Sequence, residues 1–536
     1  MTTLFKNGKI YDGSGKEPFV GDILVDDDKI IAVGDQIASD KAEQTVSLEG
    51  LSVAPGFIDA HSHNDWFAIK NDPLPYFEPF IRQGITTFVT GNCGLSTTGF
   101  EAGCDYVDKI GVGLFSYQNT TGKYGTAEEF FNAIDRKGPC NIALLAGHCS
   151  ARAAVSGYAN RRLTADEEKQ MLSILEKELI QGAAGISLGL MYEPGLYADI
   201  EELKKVAQIC LKYDRPLTVH PRANSKVSMA YPQLLGRSHL LRALDELVEI
   251  ARGTKLKLQY SHAIFVGRRS FGNKNEFVRI INELRAQGID AKFDIYNETL
   301  GVSVITVILP AWYQSMSPEE KRNPLNKFKL NLLVKASSIL LGFGFKDIQI
   351  AYIGKGYEQY EGKTVHQIAK EIGKSDLETY LELCEKSRFH GRVNMGPYST
   401  REIIKDFEHN ENCLYMTDAW VEDFGVQNPA IYDCFPKFLK DSLTGFGDTM
   451  PQTVRRMSGA VADRFMLPER GYIKEGFFAD LTVFDENELK SAETDRQRSF
   501  GIRKVVINGH IVLDDDKIDD NSLKTSGRAV RVGGQK

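Results

Sequence analysis

Through the middle of the chain, short apolar runs alternate with longer stretches in which apolar positions return at helical spacing. Eight runs read as strands: Phe57-Ile-Asp-Ala, Thr86-Thr-Phe-Val-Thr, Ile142-Ala-Leu-Leu-Ala, Gly185-Ile-Ser-Leu, Leu217-Thr-Val, Leu256-Lys-Leu-Gln-Tyr, Ala291-Lys-Phe-Asp and Cys413-Leu-Tyr-Met. Helical patterns fill the gaps, including 165–181 behind a Thr164 cap and 200–212. Strand and helix in alternation are what βα units require, and eight of them predict an α/β fold of the (β/α)8, TIM-like type over residues 55–469. The seventh and eighth strands are much further apart than the others, which predicts an insertion at about 300–375 with helices of its own.

The two ends have a different character. Leu4-Phe-Lys-Asn-Gly-Lys-Ile-Tyr, Asp22-Ile-Leu-Val-Asp and Lys29-Ile-Ile-Ala-Val-Gly are short strands broken by Asn-Gly and Asp turns. Ala479-Asp-Leu-Thr-Val-Phe-Asp and Lys504-Val-Val-Ile-Asn-Gly-His-Ile-Val-Leu repeat that texture. Residues 1–54 and 470–536 are therefore expected to form one small β-sandwich.

Composition narrows the function classes. A chain of 536 residues with 42% hydrophobic and 26% charged residues can bury a large core and is not disordered. Lys+Arg 65 against Asp+Glu 72 leaves a net charge of −7, so no general attraction to nucleic acid or anionic membrane is expected. The first residues lack a basic and apolar leader pattern, and no apolar run is long enough to span a bilayer, so a soluble, cytoplasmic protein is expected. The eight cysteines (93, 104, 140, 149, 210, 384, 413, 434) form no CxxC pair and no disulfide framework.

The chemistry gathers at the C-terminal ends of the expected strands, the end where such barrels carry their sites. Strand one runs into His61-Ser-His63, two imidazoles on one side of an extended segment. Strand two ends at Asn92-Cys93, strand five at His220, strand six at His262 and strand eight at Asp418. A single His or Cys is more often structural than ligating. Six metal-capable side chains at the same end of successive strands are hard to explain that way.

These residues resemble the amidohydrolase superfamily, and within it the N-acyl-D-amino-acid deacylase (D-aminoacylase) family. The resemblance rests on Ala54-Pro-Gly-Phe-Ile-Asp-Ala-His-Ser-His-Asn-Asp, Gly91-Asn-Cys-Gly, Gly185-Ile-Ser-Leu-Gly-Leu-Met-Tyr-Glu-Pro-Gly and Arg470-Gly-Tyr-Ile-Lys-Glu-Gly-Phe-Phe-Ala-Asp-Leu-Thr-Val-Phe-Asp. Gly-Asn-Cys-Gly is the specific mark, because hydantoinases and dihydroorotases typically use a carboxylated Lys on strand four, and Gly185–Leu190 contains no Lys. The resemblance implies a tightly bound Zn2+ on Cys93, His220 and His262, with His61, His63 and Asp418 facing a second, weaker position. It further implies Asp418 as the acid–base residue, Tyr296 as a hydrogen-bond donor to the reacting carbonyl, and Tyr192 in the substrate pocket. A strand-end cap for Asp418 and aromatic packing for the tyrosines are the alternatives. His148 and Arg152 also match a family pattern, with a structural role at least as well supported.

The recognition residues depart from the family. Where relatives carry a carboxylate-gripping Arg, the chain has Ala430 in Asn428-Pro-Ala430, and Ile264 stands at a Lys position. Arg222, Arg268 and Arg269 lie near strand ends five and six as substitute cations, Arg222 being the candidate for substrate binding. The expected function is zinc-dependent hydrolysis of a C–N amide bond in a small molecule with altered selectivity. A cyclic amide or lactam is the alternative substrate, and a non-enzymatic binding or assembly barrel is less favoured because all six candidate ligands are present.

Overall fold

Alternation of buried strands with one-faced helices closes the central part of the chain on itself. In the computed structural model, which describes residues 1–100, 115, 124–228, 230–231, 236–314, 316–493 and 498–533, eight parallel strands follow one another in chain order. They are β1 (Phe57–Asp59), β2 (Ile85–Thr90), β3 (Asn141–Gly147), β4 (Gly185–Gly189), β5 (Leu217–His220), β6 (Lys257–Tyr260), β7 (Asp290–Ile295) and β8 (Cys413–Tyr415). All eight expected strands are present. The ring is drawn together between β8 and β1 by Ala60 N donating to Tyr415 O at 3.3 Å and by Asp59 Oδ1 accepting from Thr417 N at 3.0 Å.

The outer helices start where their caps predict. Thr164 and Glu167 exchange hydrogen bonds in a capping box that opens Ala165–Ile180, and the Asp199 carboxylate accepts from Glu201 N and Glu202 N to open Ile200–Lys212. The apolar faces of these helices join the barrel strands in one continuous core, which includes Leu175, Leu179, Leu203 and Val206.

Both chain ends meet in a single nine-stranded sheet. Ser52–Pro55 joins the halves, pairing in parallel with Thr2–Ile10 and antiparallel with Leu481–Phe484. Its core holds Phe5, Ile23, Val25, Leu481, Val483 and Val506.

The insertion after β7 builds a separate three-stranded antiparallel sheet, with Arg392–Met395 between Gly301–Val304 and Ile348–Tyr352, and one long helix, Pro324–Leu341. It therefore runs past the expected limit of 375 to Met395, because its central strand is the last in sequence. A second apolar core, including Ile305, Leu309, Val334, Ile350 and Val393, holds it together.

Candidate metal centre

Five of the six candidate ligands stand just past the end of their strand and His220 is the last residue of β5, and three of these positions carry unusual backbone. Cys93, His262 and Asp418 have φ of 54°, 36° and 47°, a left-handed region that non-glycine residues adopt only when their surroundings hold them there. The surroundings can be named. Asn92 Nδ2 donates to Val89 O at 3.0 Å, and Ser187 Oγ accepts from Gly94 N at 3.0 Å, which fixes the Cys93 turn against β4. Gly189 must lack a side chain, since a Cβ there would stand 1.9 Å from Cys93 O. His262 N donates to Asp294 Oδ1 at 2.6 Å, and Asp418 N donates to His61 O at 3.1 Å.

The structure brings all six predicted ligands together. Cys93 Sγ lies 3.4 Å from His61 Nε2, 3.4 Å from His220 Nδ1 and 3.6 Å from His262 Nε2. His262 Nε2 and His220 Nδ1 are 2.7 Å apart, and Asp418 Oδ1 stands 3.5 Å from His61 Nε2 and 3.7 Å from His63 Nε2. Three triads have donor atoms within 4.8 Å of one another: His61 with His63 and Cys93, Cys93 with His220 and His262, and His61 with His262 and Asp418. Cys93, His61 and His262 are each common to two of these triads, so the three groups overlap in one cluster.

The electrostatics of the cluster fit a cation. Burial, and then the neighbouring imidazoles, hold His61 and His220 well below their ordinary pKa, and burial also lowers His262, so these rings are neutral and able to coordinate. Burial, followed by the charges of Asp418 and Asp294, pushes the Cys93 thiol far up. A thiolate at that place needs a positive partner, and metal binding would release its proton. His61 Nδ1, His63 Nδ1 and His262 Nδ1 are buried without a hydrogen-bond partner. Sulfur and imidazole donors are the set that suits zinc.

Two carboxylates that sequence reasoning left out organise this set from behind. Asp294 on β7 accepts from His262 N and from Gln259 Nε2 at 2.7 Å, and lies 3.7 Å from His61 Nδ1. Burial lifts it to about 8 despite those hydrogen bonds. Asp59 on β1 ties His61 N to Thr417 N, and burial lifts it to about 7. The available signal was an acid set among apolar residues at the C-terminal end of a strand, Phe57-Ile-Asp59 and Phe293-Asp-Ile295.

A cavity of about 870 Å³ opens over the cluster and extends under the insertion. Tyr296 and Tyr192 both line it, Tyr296 buried and Tyr192 with its ring centroid 4.7 Å from that of His220. The Phe115 and Trp420 rings pack on His63, at centroid distances of 5.0 and 5.5 Å. Arg222 also lines the cavity, but its guanidinium is engaged: it pairs with Glu246 at 2.9 Å and donates to Leu196 O and Ala198 O. Among the described residues it is the one Arg or Lys in the lining. Arg268 pairs with Asp347 outside the cavity, and Arg269 is exposed. Ile264 faces the cavity, whereas Asn428 and Ala430 do not line it and instead begin the helix Ala430–Leu443. His148 and Arg152 are fully buried on Glu202, at 2.8 and 3.0 Å, which gives them a structural place between helices. Seven cysteines, 93, 140, 149, 210, 384, 413 and 434, are buried and unpaired; Cys104 lies outside the described residues.

Comparison with known proteins agrees with this geometry. Residues 44–263 match the amidohydrolase family. D-aminoacylase of Alcaligenes xylosoxydans xylosoxydans is 28% identical over 525 residues, covering 94% of this chain and 93% of the relative. N-acyl-D-aspartate deacylase of the same organism is 25% identical over 516 residues, covering 95% and 91%. A solved D-aminoacylase with a binuclear metal centre superposes with a TM-score of 0.78 at 25% identity, covering 99% of both chains. The chain is thus similar to the amidohydrolase family over residues 44–263 and to D-aminoacylase along nearly its whole length, and it is a metal-dependent amidohydrolase. Relatives that match along nearly the full length include D-aminoacylase, N-acyl-D-aspartate deacylase and N-acyl-D-glutamate deacylase.

Proposed function

We propose that the protein is a zinc-dependent hydrolase of N-acyl amines, close in chemistry to the D-amino-acid deacylases but without their demand for a free carboxylate on the substrate. Cys93, His220 and His262 would hold the tight zinc ion, and His61, His63 and Asp418 would face a second, weaker position. When bound, zinc polarises the amide carbonyl and lowers the pKa of water from 15.7 towards about 7.

The remaining roles fall to the chain. Asp418 is the one member of the cluster with a partly exposed side chain, 23%, so its carboxylate reaches the cavity. It takes the proton from the attacking water and returns it to the leaving nitrogen. Tyr296, at the cavity wall, donates to the carbonyl oxygen as that atom gains charge. Tyr192 forms part of the substrate wall, and Phe115 and Trp420 exclude water on the His63 side. Seven unpaired buried thiols suit the reducing environment of the cytoplasm, where we place the activity. Among the described residues no helix is long and apolar enough to cross a membrane.

The observation that carries the selectivity is the engaged state of Arg222. Its carboxylate partner and two carbonyls already satisfy it, so it has no fork left to grip a substrate carboxylate. The same feature favours a neutral lactam as the second reading. Steady-state rates on matched N-acyl amino acids and their amides test this: the amides should equal or exceed the acids, and a strong preference for acids abolished by Arg222→Ala would overturn it. Asp418→Asn should keep the tight metal and the fold while turnover falls by at least a hundredfold, of the order expected for loss of a general acid–base. Activity within a few fold of wild type would move that role elsewhere.

A further inference from the structure

The cavity is divided by charge. Its barrel end carries Glu193, Arg222, Asp418 and the imidazoles, whereas among the described residues of the insertion no charged side chain lines it. The insertion's wall is uncharged and largely apolar, with Val302, Val307, Leu333, Val334, Leu341 and Phe343. Its polar side chains are the neutral Ser303, Thr306, Gln314, Ser337 and Ser338. At about 870 Å³ the whole space sits near the top of the range for small-molecule pockets, about 300–1,000 Å³, and exceeds what an N-acetyl group needs.

The helix Pro324–Leu341 is built to be such a wall. Leu330, Val334, Ser337 and Leu341 recur at helical spacing on its inner face. Asn323 caps its start by accepting from Leu325 N at 2.9 Å, and Gly342 ends it in left-handed conformation at φ 63°. In the middle of that face stand two small residues, Ser337 and Ser338, both lining the cavity. Their size leaves width where a Leu at either position would narrow the space.

We propose that the insertion forms an acyl-chain chamber, so that the preferred substrates are amides of long, unbranched acyl chains; this rests on the N-acyl-amine reading above and specifies its substrate class. The charge division decides which half of the substrate enters. An acyl chain has its one polar group, the carbonyl, at the reacting centre, and everything beyond it is hydrocarbon. The amine half brings, after cleavage, an ammonium and in the free acids also a carboxylate, for which the uncharged wall offers no opposite charge. Those groups find polar surroundings at the barrel end, beside Ser225, Ser228 and Asn224.

Burying a methylene strengthens binding roughly fourfold. Held equally in ground and transition states, that binding lowers KM and leaves kcat nearly unchanged. The experiment is an N-acyl series from acetyl to hexadecanoyl on one amino-acid amide, run on the zinc-loaded enzyme beside a second series in which the acyl group stays acetyl and the amino-acid side chain lengthens. Calorimetric binding of dodecanoate is measured on the same preparations.

The expected result is a KM that falls with acyl length until the chamber is full. Ser337→Trp should reduce the ratio of dodecanoyl to acetyl kcat/KM by at least tenfold and weaken dodecanoate binding by a similar factor. Ile339→Ser, on the exposed outer face of the same helix, should leave the length profile unchanged. If dodecanoate binds in a Ser337-dependent way but no amide in either series is cleaved, the hydrolase reading fails and the chamber stands. If the acetyl amide is cleaved best, or the gain follows the amino-acid side chain instead, the chamber assignment is overturned while the hydrolase reading survives. Should Ser337→Trp not fold, Ser338→Phe tests the same wall.

Discussion

Asp294→Asn removes one oxygen acceptor and nothing of the side chain's size, and the structure fixes what that does. In the native protein Asp294 Oδ1 accepts from His262 N and Oδ2 from Gln259 Nε2. Asn offers a single oxygen, so in either orientation its NH2 group faces a donor. Gln259 cannot relieve the conflict by turning its amide, because its Oε1 already accepts from Arg464 Nε at 3.1 Å. One hydrogen bond is therefore lost and a buried donor is left unpaired, worth roughly 1–3 kcal/mol. The loss reaches His262, whose backbone stands at φ 36°, either directly or through the Gln259 contact that fixes the Asp294 side chain against it. Residues that orient metal ligands typically cost about 10- to 100-fold in metal affinity when changed, or about 1.4–2.8 kcal/mol, in line with the hydrogen-bond arithmetic. Zinc affinity measured by competition with a chelating indicator should drop by that factor, with thermal unfolding of the loaded protein shifted down. Affinity within twofold of wild type would refute the claim that Asp294 positions His262.

Cys93→Ala should remove most tightly bound zinc and activity together, whereas Cys210→Ala and Cys384→Ala, in helices away from the cluster, should retain both; metal analysis of the three purified variants checks it. Glu178 gives a pH effect of known sign. Burial raises it from 4.5 to about 7 although it accepts from Thr98 Oγ1 and Ala127 N. The folded protein then holds this proton more tightly than the unfolded chain. Its contribution to stability is full below 4.5, is lost as pH rises through about 7, and amounts to roughly 3 kcal/mol. Glu178→Gln should flatten the fall in denaturant stability between about pH 4.5 and 7 by that order, and an unchanged pH profile would exclude Glu178 as its source.

The strand–helix alternation and the strand-end residues were legible in sequence because both follow from local rules. Buried strands must be apolar runs, helices must show one apolar face, and a barrel places its chemistry after its strands, so His61, His63, Cys93, His220, His262 and Asp418 could be picked out without coordinates. Their convergence within 4.8 Å in triads was a tertiary result, since it depends on ring closure and on three left-handed turns whose cause lies in other strands. Asp294 and Asp59 were invisible as positioning residues for the same reason: each acts on groups that the chain delivers from another strand. Arg222 shows the limit most directly. Its type and place near strand five made it a candidate to grip substrate, but Glu246 lies on the helix His239–Ala251 that follows, and only the fold could show that the pair had formed. The insertion's boundary was likewise hidden, because Arg392–Met395 is a central strand solely through pairing with Gly301–Val304 and Ile348–Tyr352, partners far away in sequence. Sequence determined which side chains could do the chemistry; packing decided which of them remain available for it.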